Sequence, residues 1–230
     1  LVARTSHLAP RIGSVGFGQT MTLLNSPSAR WQLGVGAGVF SQFNMASTTN
    51  HLMNTDYVIG LPFSVRSGAR SARFRLYHQS SHLGEEFLDG GAVHRQLLSF
   101  EAVELLLAED ISNWRIYGGG EYRFIHAPDD LKPTVAHAGI EYEGSGPLVR
   151  FGRFGSGRLV AALDGKSFED RGWQVGWSLK TGLALSSSPG ADGRGLEWSL
   201  IVTGYRGPTP YGQFYRENLS SMGIGLALGL

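Results

Sequence analysis

The chain has 230 residues, 33 glycines, no cysteine and a formal net charge of +1. The absence of cysteine excludes a disulfide scaffold and a zinc–thiolate site, and the near-neutral charge argues against nucleic acid as a partner. No run of about 18 apolar residues predicts a transmembrane helix. The sequence begins with Leu1 rather than Met, and we expect any signal peptide to have been removed or left out.

Apolar side chains alternate with small or polar ones along several long segments. In the first clear example Trp31, Leu33 and Val35 alternate with Gly34 and Gly36, and the pattern recurs at 57–66, 173–185 and 221–230. Such segments span about 10–14 residues, which is the length that a tilted strand needs to cross a bilayer. A soluble sandwich would use shorter strands. The sequence therefore predicts an all-β fold, a transmembrane antiparallel up-and-down β-barrel in the bacterial outer membrane.

Eleven strands are clear from this pattern. We predict them at 12–24, 31–44, 56–66, 71–82, 96–108, 113–125, 134–143, 157–167, 173–186, 195–206 and 219–230. A closed bacterial barrel normally has an even number of strands. We therefore expect residues 1–9 to supply a twelfth, short strand, with ten strands as the alternative, and 1–230 to form one domain.

The face opposite the apolar one carries charges of both signs. We predict these inward side chains to be Arg73, Arg75, Arg115, Glu121, Arg123, His137, Glu141, Asp164, Lys166 and Lys180. Across a narrow barrel they would pair and fill a polar lumen, which argues against an open porin.

Longer connections are predicted at one end of the barrel and short turns at the other. The long connections carry the acids Glu85, Glu86, Asp89, Asp129, Asp130, Glu169 and Asp170. We predict no obligatory cofactor. Calcium bound by these acids between lipopolysaccharide headgroups is one reading of the cluster, and simple solvation is the other. Tyr205, Tyr211, Phe214 and Tyr215 are predicted to form an aromatic girdle near the same end.

The strand at 71–82 carries the candidate chemistry. Its arginines belong inside the barrel, so parity places His78 and Ser80 on the lipid side near the outer rim. A serine becomes a nucleophile when a base lies beside it, and a histidine two residues away on the same strand face is such a base. One β-bulge before residue 78 would turn His78 into the lumen instead.

A third group should orient the histidine. If the following loop is centred near residues 89–90, position 78 lies opposite Glu101, which becomes the candidate orienting acid, although either face of that strand could be outward. From the same block we predict a ligand-binding set consisting of Ser81, His82, Glu85 and Glu86. No metal site is predicted.

The triplet His78-Gln79-Ser80 resembles the lipid-facing His-x-Ser of the outer-membrane phospholipase A and lipid A deacylase barrels. That resemblance implies cleavage of acyl esters. Those families place their third residue about a dozen residues after the serine, where this chain has Ala92. The resemblance therefore leaves the third member open.

A broader resemblance covers nearly the whole chain. It rests on blocks such as Trp31-Gln32-Leu33-Gly34, Gly60-Leu61-Pro62, the run 77–87, Tyr117-Gly118-Gly119-Gly120 and Pro210-Tyr211-Gly212-Gln213-Phe214. These blocks are similar to the DUF1207 family of bacterial barrel-like proteins, whose members are longer at the N-terminal end. The resemblance implies a barrel and supplies no reaction.

Two classes of function follow. The first is a structural or interaction component of the outer membrane, with lipid, lipopolysaccharide and a partner protein of an envelope assembly as its contacts. The alternative is a lipid acyl hydrolase with Ser80, His78 and Glu101 at its site. A narrow channel or a small-ligand binder is a third, weaker reading.

Overall fold

The computed structural model describes residues 2–4, 11–28, 30–85, 97–151, 155–186 and 197–229. Most of these residues lie in strands. The strands are β1 (Val2–Arg4), β2 (Ile12–Asn25), β3 (Trp31–Asn44), β4 (Leu52–Ser67), β5 (Arg70–Leu83), β6 (Leu98–Ile111), β7 (Trp114–Ala127), β8 (Thr134–Glu143), β9 (Val149–Arg150), β10 (Ser156–Phe168), β11 (Gln174–Ser186), β12 (Glu197–Pro208) and β13 (Asn218–Gly229).

Twelve of these strands form one antiparallel, curled sheet. Consecutive strands from β2 to β13 are neighbours, except that the two-residue β9 pairs beside the path with β10, so that β8 lies next to β10. β1 pairs with β13, and in the described part of the chain β1 and β2 are the two edges of the sheet. The prediction of twelve up-and-down strands is confirmed, and the ten-strand alternative is wrong.

The register between neighbouring strands gives the sheet two unlike faces. β4 pairs with β5 without a shift from Ser67 to Asn54, and β5 pairs with β6 without a shift from Arg70 to Ser81. Tyr57, Ile59 and Leu61 of β4 are exposed on one face, which we call the outer face. The apolar residues of the alternating pattern lie there because each strand places successive side chains on opposite faces.

The opposite, inner face carries ion pairs, as predicted for the lumen, although Glu104 and Tyr117 were not among the predicted inward residues. Glu104 accepts hydrogen bonds from Arg73 and Arg75 at 3.0 and 3.1 Å, and Arg123 donates to Glu121 at 2.8 Å. Further along the sheet His137 and Tyr117 both contact Asp164. The Glu104 and His137–Asp164 contacts link neighbouring strands, so charges that would be costly alone hold the inner face together.

The apolar core lies at the end of the sheet that carries the long connections, which we call the loop end. Residues 209–217 connect β12 to β13 and contain the short 3-10 helix Gly212–Phe214, and this segment folds back onto the inner face. Phe214 packs in one buried cluster with Met53 and Leu83. Tyr211 and Phe214 are therefore buried, and the predicted aromatic girdle is wrong for both because the segment turns inward.

No helix among the described residues is long and apolar enough to cross a membrane.

Candidate active site

His78 and Glu101 form a pair between two adjacent strands. The register of β5 and β6 places the two residues directly opposite each other. The Nδ1 atom of His78 lies 3.0 Å from Oε1 of Glu101, and both side chains are more than one third exposed. The contact assigns the Nδ1 proton to the side of the carboxylate, which leaves Nε2 as an acceptor.

Ser80 lies on the same face as His78. It follows His78 by two residues on β5, where the structure has no bulge, so parity keeps both side chains on the outer face. Ser80 lies opposite Tyr57 of β4 and Ser99 of β6. Among the residues that the structure describes, no hydrogen bond joins Ser80 to His78. Catalytic hydrogen bonds are often long before substrate binds.

The surroundings of the pair are apolar. His78 lies opposite Ile59, and Glu101 lies opposite Ile125, and both isoleucines are exposed on the outer face. Towards the loop end, the ring of His82 contacts Tyr57 edge to face, with centroids 5.7 Å apart. A polar patch of serine, histidine and glutamate thus interrupts an apolar surface near its rim.

The predicted ligand-binding set is not brought together by the fold. Ser81 lies on the inner face and is buried, whereas its neighbour His82 lies exposed on the outer face. Glu85 is exposed beyond the end of β5, and Glu86 lies outside the described residues. This correction follows from strand geometry, since adjacent residues of one strand point to opposite sides and cannot line one site.

Ser81 instead anchors β5 from the inside. Its hydroxyl donates to Asn54 Oδ1 at 2.8 Å, and its carbonyl accepts from Gln213 Nε2 at 2.7 Å. The backbone that carries Ser80 is therefore tied to the segment 209–217. This contact on the inner face therefore fixes the backbone of Ser80, whose side chain lies on the outer face.

A buried polar network extends this anchor. Asn54 donates to Gln42 and Asp56, and the backbone amides of Gly212 and Gln213 donate to Asp56 and Asn54. A Cβ at Gly212 would lie 2.4 Å from Asp56 Oδ1, so only glycine fits there. Sequence reasoning missed the network, although Gly212 and Gln213 belong to one of the blocks that carry the family resemblance.

The structure does not bring a cation site together at this place. Among the described residues no group of three histidines, aspartates or glutamates is close enough to hold a metal ion. Of the acids predicted in the long connections, Asp130 pairs with Arg216 at 2.7 Å, and Glu169 accepts a hydrogen bond from the amide of Thr134. Ala92, the position of the third residue in the phospholipase-like pattern, lies outside the described residues.

Comparison with known families now adds to this geometry. The family model described as "Protein of unknown function (DUF1207)" matches residues 5–230. The chain belongs to this family. The resemblance that the sequence blocks indicated is therefore confirmed over nearly the whole chain. No curated protein matches it.

Among solved structures, the chain is similar to outer membrane phospholipase A from Escherichia coli. The two share 15% sequence identity with a TM-score of 0.64, and the match covers 94% of this chain and 77% of the phospholipase chain. At this identity the likeness establishes the fold, which is that of an outer-membrane barrel. The chemistry has to be argued from the residues of this chain.

Proposed function

We propose that this protein is an outer-membrane hydrolase that cleaves acyl esters of membrane lipids at its outer face. The observation that carries the proposal is the His78–Glu101 contact of 3.0 Å beside Ser80. The three side chains share one face of two paired strands. Few structural roles require an ionisable pair and a free hydroxyl together on an otherwise apolar, lipid-facing surface, because unsatisfied polar groups there are costly.

Each residue of this group has a defined part in the reaction. Ser80 Oγ attacks the ester carbonyl while Nε2 of His78 takes its proton, and Glu101 holds the imidazole through Nδ1 and stabilises the imidazolium that forms. The proton then passes to the leaving alcohol, and the acyl group stays on Ser80 as an ester. Water, deprotonated by His78, releases the fatty acid and restores the serine.

The position of the group on the molecule indicates a lipid as substrate. Ser80 and His78 lie towards the loop end of β5, next to Tyr57 and Ile59 on the apolar outer face. In a bilayer this level lies at the boundary of headgroups and acyl chains, where the ester bonds of phospholipids and the acyl groups of lipid A are found. A soluble ester would gain nothing from a site that opens towards hydrocarbon.

Acyl release by the purified protein in mixed micelles of detergent and phospholipid tests the proposal. We expect fatty acid release by the wild type and its loss to background in Ser80→Ala. Glu101→Gln should lower the rate by about 10²–10⁴-fold, since it removes the charge that supports the imidazolium. Lipid A is offered as a second substrate, and each assay is run with and without calcium.

Ser99→Ala is the matched control, because Ser99 lies directly opposite Ser80 on the same face. It should retain the wild-type rate. Loss of activity in Ser99→Ala and not in Ser80→Ala would show that the nucleophile is misassigned. If folded protein releases no acyl chain from either lipid, the hydrolase proposal is wrong. The role of a structural or interaction barrel, with an envelope protein as partner, would then be the one to pursue.

A further inference from the structure

The inner face encloses a cavity of about 450 Å³ below the segment 209–217. This volume falls in the range of small-molecule sites. One wall consists mostly of small residues from β2, β3 and β4, among them Gly18, Gly36 and Gly38, together with Phe40. A Cβ at Gly36 would lie 3.0 Å from Thr20 Oγ1, so a larger residue at this position would crowd Thr20.

The opposite wall is basic. It contains five cationic side chains, which are Arg73, Arg75, Arg123, Lys166 and Arg171, and two acids, which are Glu121 and Asp170. Arg73 and Arg75 share the single carboxylate of Glu104 behind the wall. In the described part of the chain, Lys166 makes no ion pair within 4.0 Å, although its charge acts on Glu121 and Asp164. The cavity therefore has an excess of positive charge that its own residues do not neutralise.

Two arginines of this wall are held by aromatic rings. In the described part of the chain, the Nε atom of Arg75 is buried and has no hydrogen-bond partner. The guanidinium lies 4.1 Å above the ring of Tyr77, and that of Arg123 lies 4.6 Å above Phe100. These stacking contacts hold both planes in position before any ligand arrives.

The cavity is covered at the loop end, and it is bordered by further basic side chains towards the short turns. Tyr211, Gly212 and Tyr215 of the segment 209–217 cover it at the loop end. Arg73 also lines a second cavity, of about 530 Å³, which Arg30, Arg66 and Arg115 line towards the short turns. Basic side chains therefore outnumber acids in both cavities, with Glu141 as an acid in the second, and this excess favours the entry of an anion from the turn end.

We propose that this cavity binds a small molecule carrying a phosphate group. Guanidinium planes and an ammonium group together match the oxygens of a phosphate, and the volume leaves space for a small organic group attached to it. The cavity lies on the inner face, whereas Ser80 lies on the outer face, so the binding site stands apart from the proposed hydrolase. Either proposal can fail without the other.

Calorimetric titration of the purified protein tests this site, in a nonionic detergent that contains no phosphate. Inorganic phosphate and glycerol 3-phosphate are the probes, with sodium chloride matching the ionic strength. We expect saturable binding of one molecule per chain. Lys166→Gln should weaken it at least tenfold, and Asp170→Asn should strengthen it, because the first removes a cation and the second an acid from the same wall.

Lys180→Gln is the matched control, because Lys180 lies outside this cavity on β11 and the substitution removes the same charge. It should leave the affinity unchanged, with folding of each variant checked by circular dichroism. Tighter binding of glycerol 3-phosphate would assign the site to a fragment of a lipid headgroup, and equal binding to the phosphate group itself. Absence of saturable binding by the folded wild type, or equal weakening by Lys180→Gln, would overturn the proposal.

Discussion

Glu101 shows how single residues acquire a role from their immediate neighbours. An ionised carboxylate on a face that is otherwise apolar is costly in a membrane, and its partners decide whether it is tolerated. On β6 the residues two positions away on the same face are Ser99 and Val103, so the cation-forming partner comes from the adjacent strand, as His78. Because Glu101 and His78 contact each other, each satisfies a polar group of the other that would be costly alone on the apolar face.

Asp170 is a second residue whose surroundings determine its behaviour. It lies in the 3-10 helix Glu169–Arg171 between β10 and β11, and its Oδ1 atom is buried with no hydrogen-bond partner among the residues that the structure describes. Burial raises the pKa of this carboxyl, although Arg123, Arg171 and Arg216 act in the opposite direction. Loss of the proton therefore costs more in the folded protein than in the unfolded chain.

This shift predicts a pH-dependent effect of Asp170→Asn. A carboxyl with a raised pKa in the folded state binds its proton more tightly there, so the wild type loses stability as the pH rises from the ordinary aspartate value through the raised one. The variant lacks this loss. We expect its urea midpoint to exceed that of the wild type at pH 7 and the difference to shrink towards pH 4. A difference that is constant with pH would contradict this explanation.

At the scale of elements, the segment 209–217 holds the strands together at the loop end. It is short and mostly irregular, yet Phe214 and Gln213 are buried and its amides reach carboxylate and amide oxygens of β4. Its contacts therefore join the connection between β12 and β13, near one edge of the sheet, to β4 and β5, near the other edge. The segment also covers the basic cavity, and it anchors the strand that carries Ser80.

Removing one of these contacts should destabilise the protein measurably. Gln213→Ala deletes the hydrogen bond from Nε2 to the Ser81 carbonyl and leaves that oxygen buried. We expect a loss of about 1–3 kcal/mol in the free energy of unfolding, which is the cost of a buried unsatisfied group. Urea unfolding in detergent measures it. Gln174→Ala, at an exposed glutamine of β11, is the control and should change stability by less than about 0.5 kcal/mol.

At the scale of the whole molecule, the two faces of the sheet predict opposite tolerance to charge. Leu200 of β12 is half exposed on the outer face, while its neighbour Ser199 lies on the inner face with Glu197. In a bilayer, Leu200→Arg should cost about 2–4 kcal/mol because the guanidinium would face hydrocarbon. Ser199→Arg should cost little, since it enters the polar inner face.

Unfolding in lipid vesicles followed by tryptophan fluorescence measures this contrast, with the same pair in a short-chain detergent as reference. The proposed location in the outer membrane requires the difference between the two variants to be larger in vesicles. Equal costs for both variants in vesicles would argue that β12 does not face lipid.

Much of the fold could be predicted from the sequence because apolar residues alternate regularly with small or polar ones along the strands. The alternation in 31–44 and 173–186 determines which side chains share a face, and it also determined the strand bounds closely, as β3 and β11 show. Part of the candidate site followed in the same way. The parity of β5 places His78 and Ser80 together without any knowledge of the neighbours.

What the sequence by itself determined is therefore everything that depends on position within one strand: the twelve strands, their two faces and the outward placement of His78 and Ser80. Only the tertiary structure decided which side chains from different strands and loops come into contact. It selected the outward orientation of Glu101, buried Tyr211 and Phe214, and left a cavity between a basic wall and the small residues of β2, β3 and β4. The physical reason is that strand periodicity is local, whereas the path of a loop and the space between distant strands depend on packing across the whole sheet.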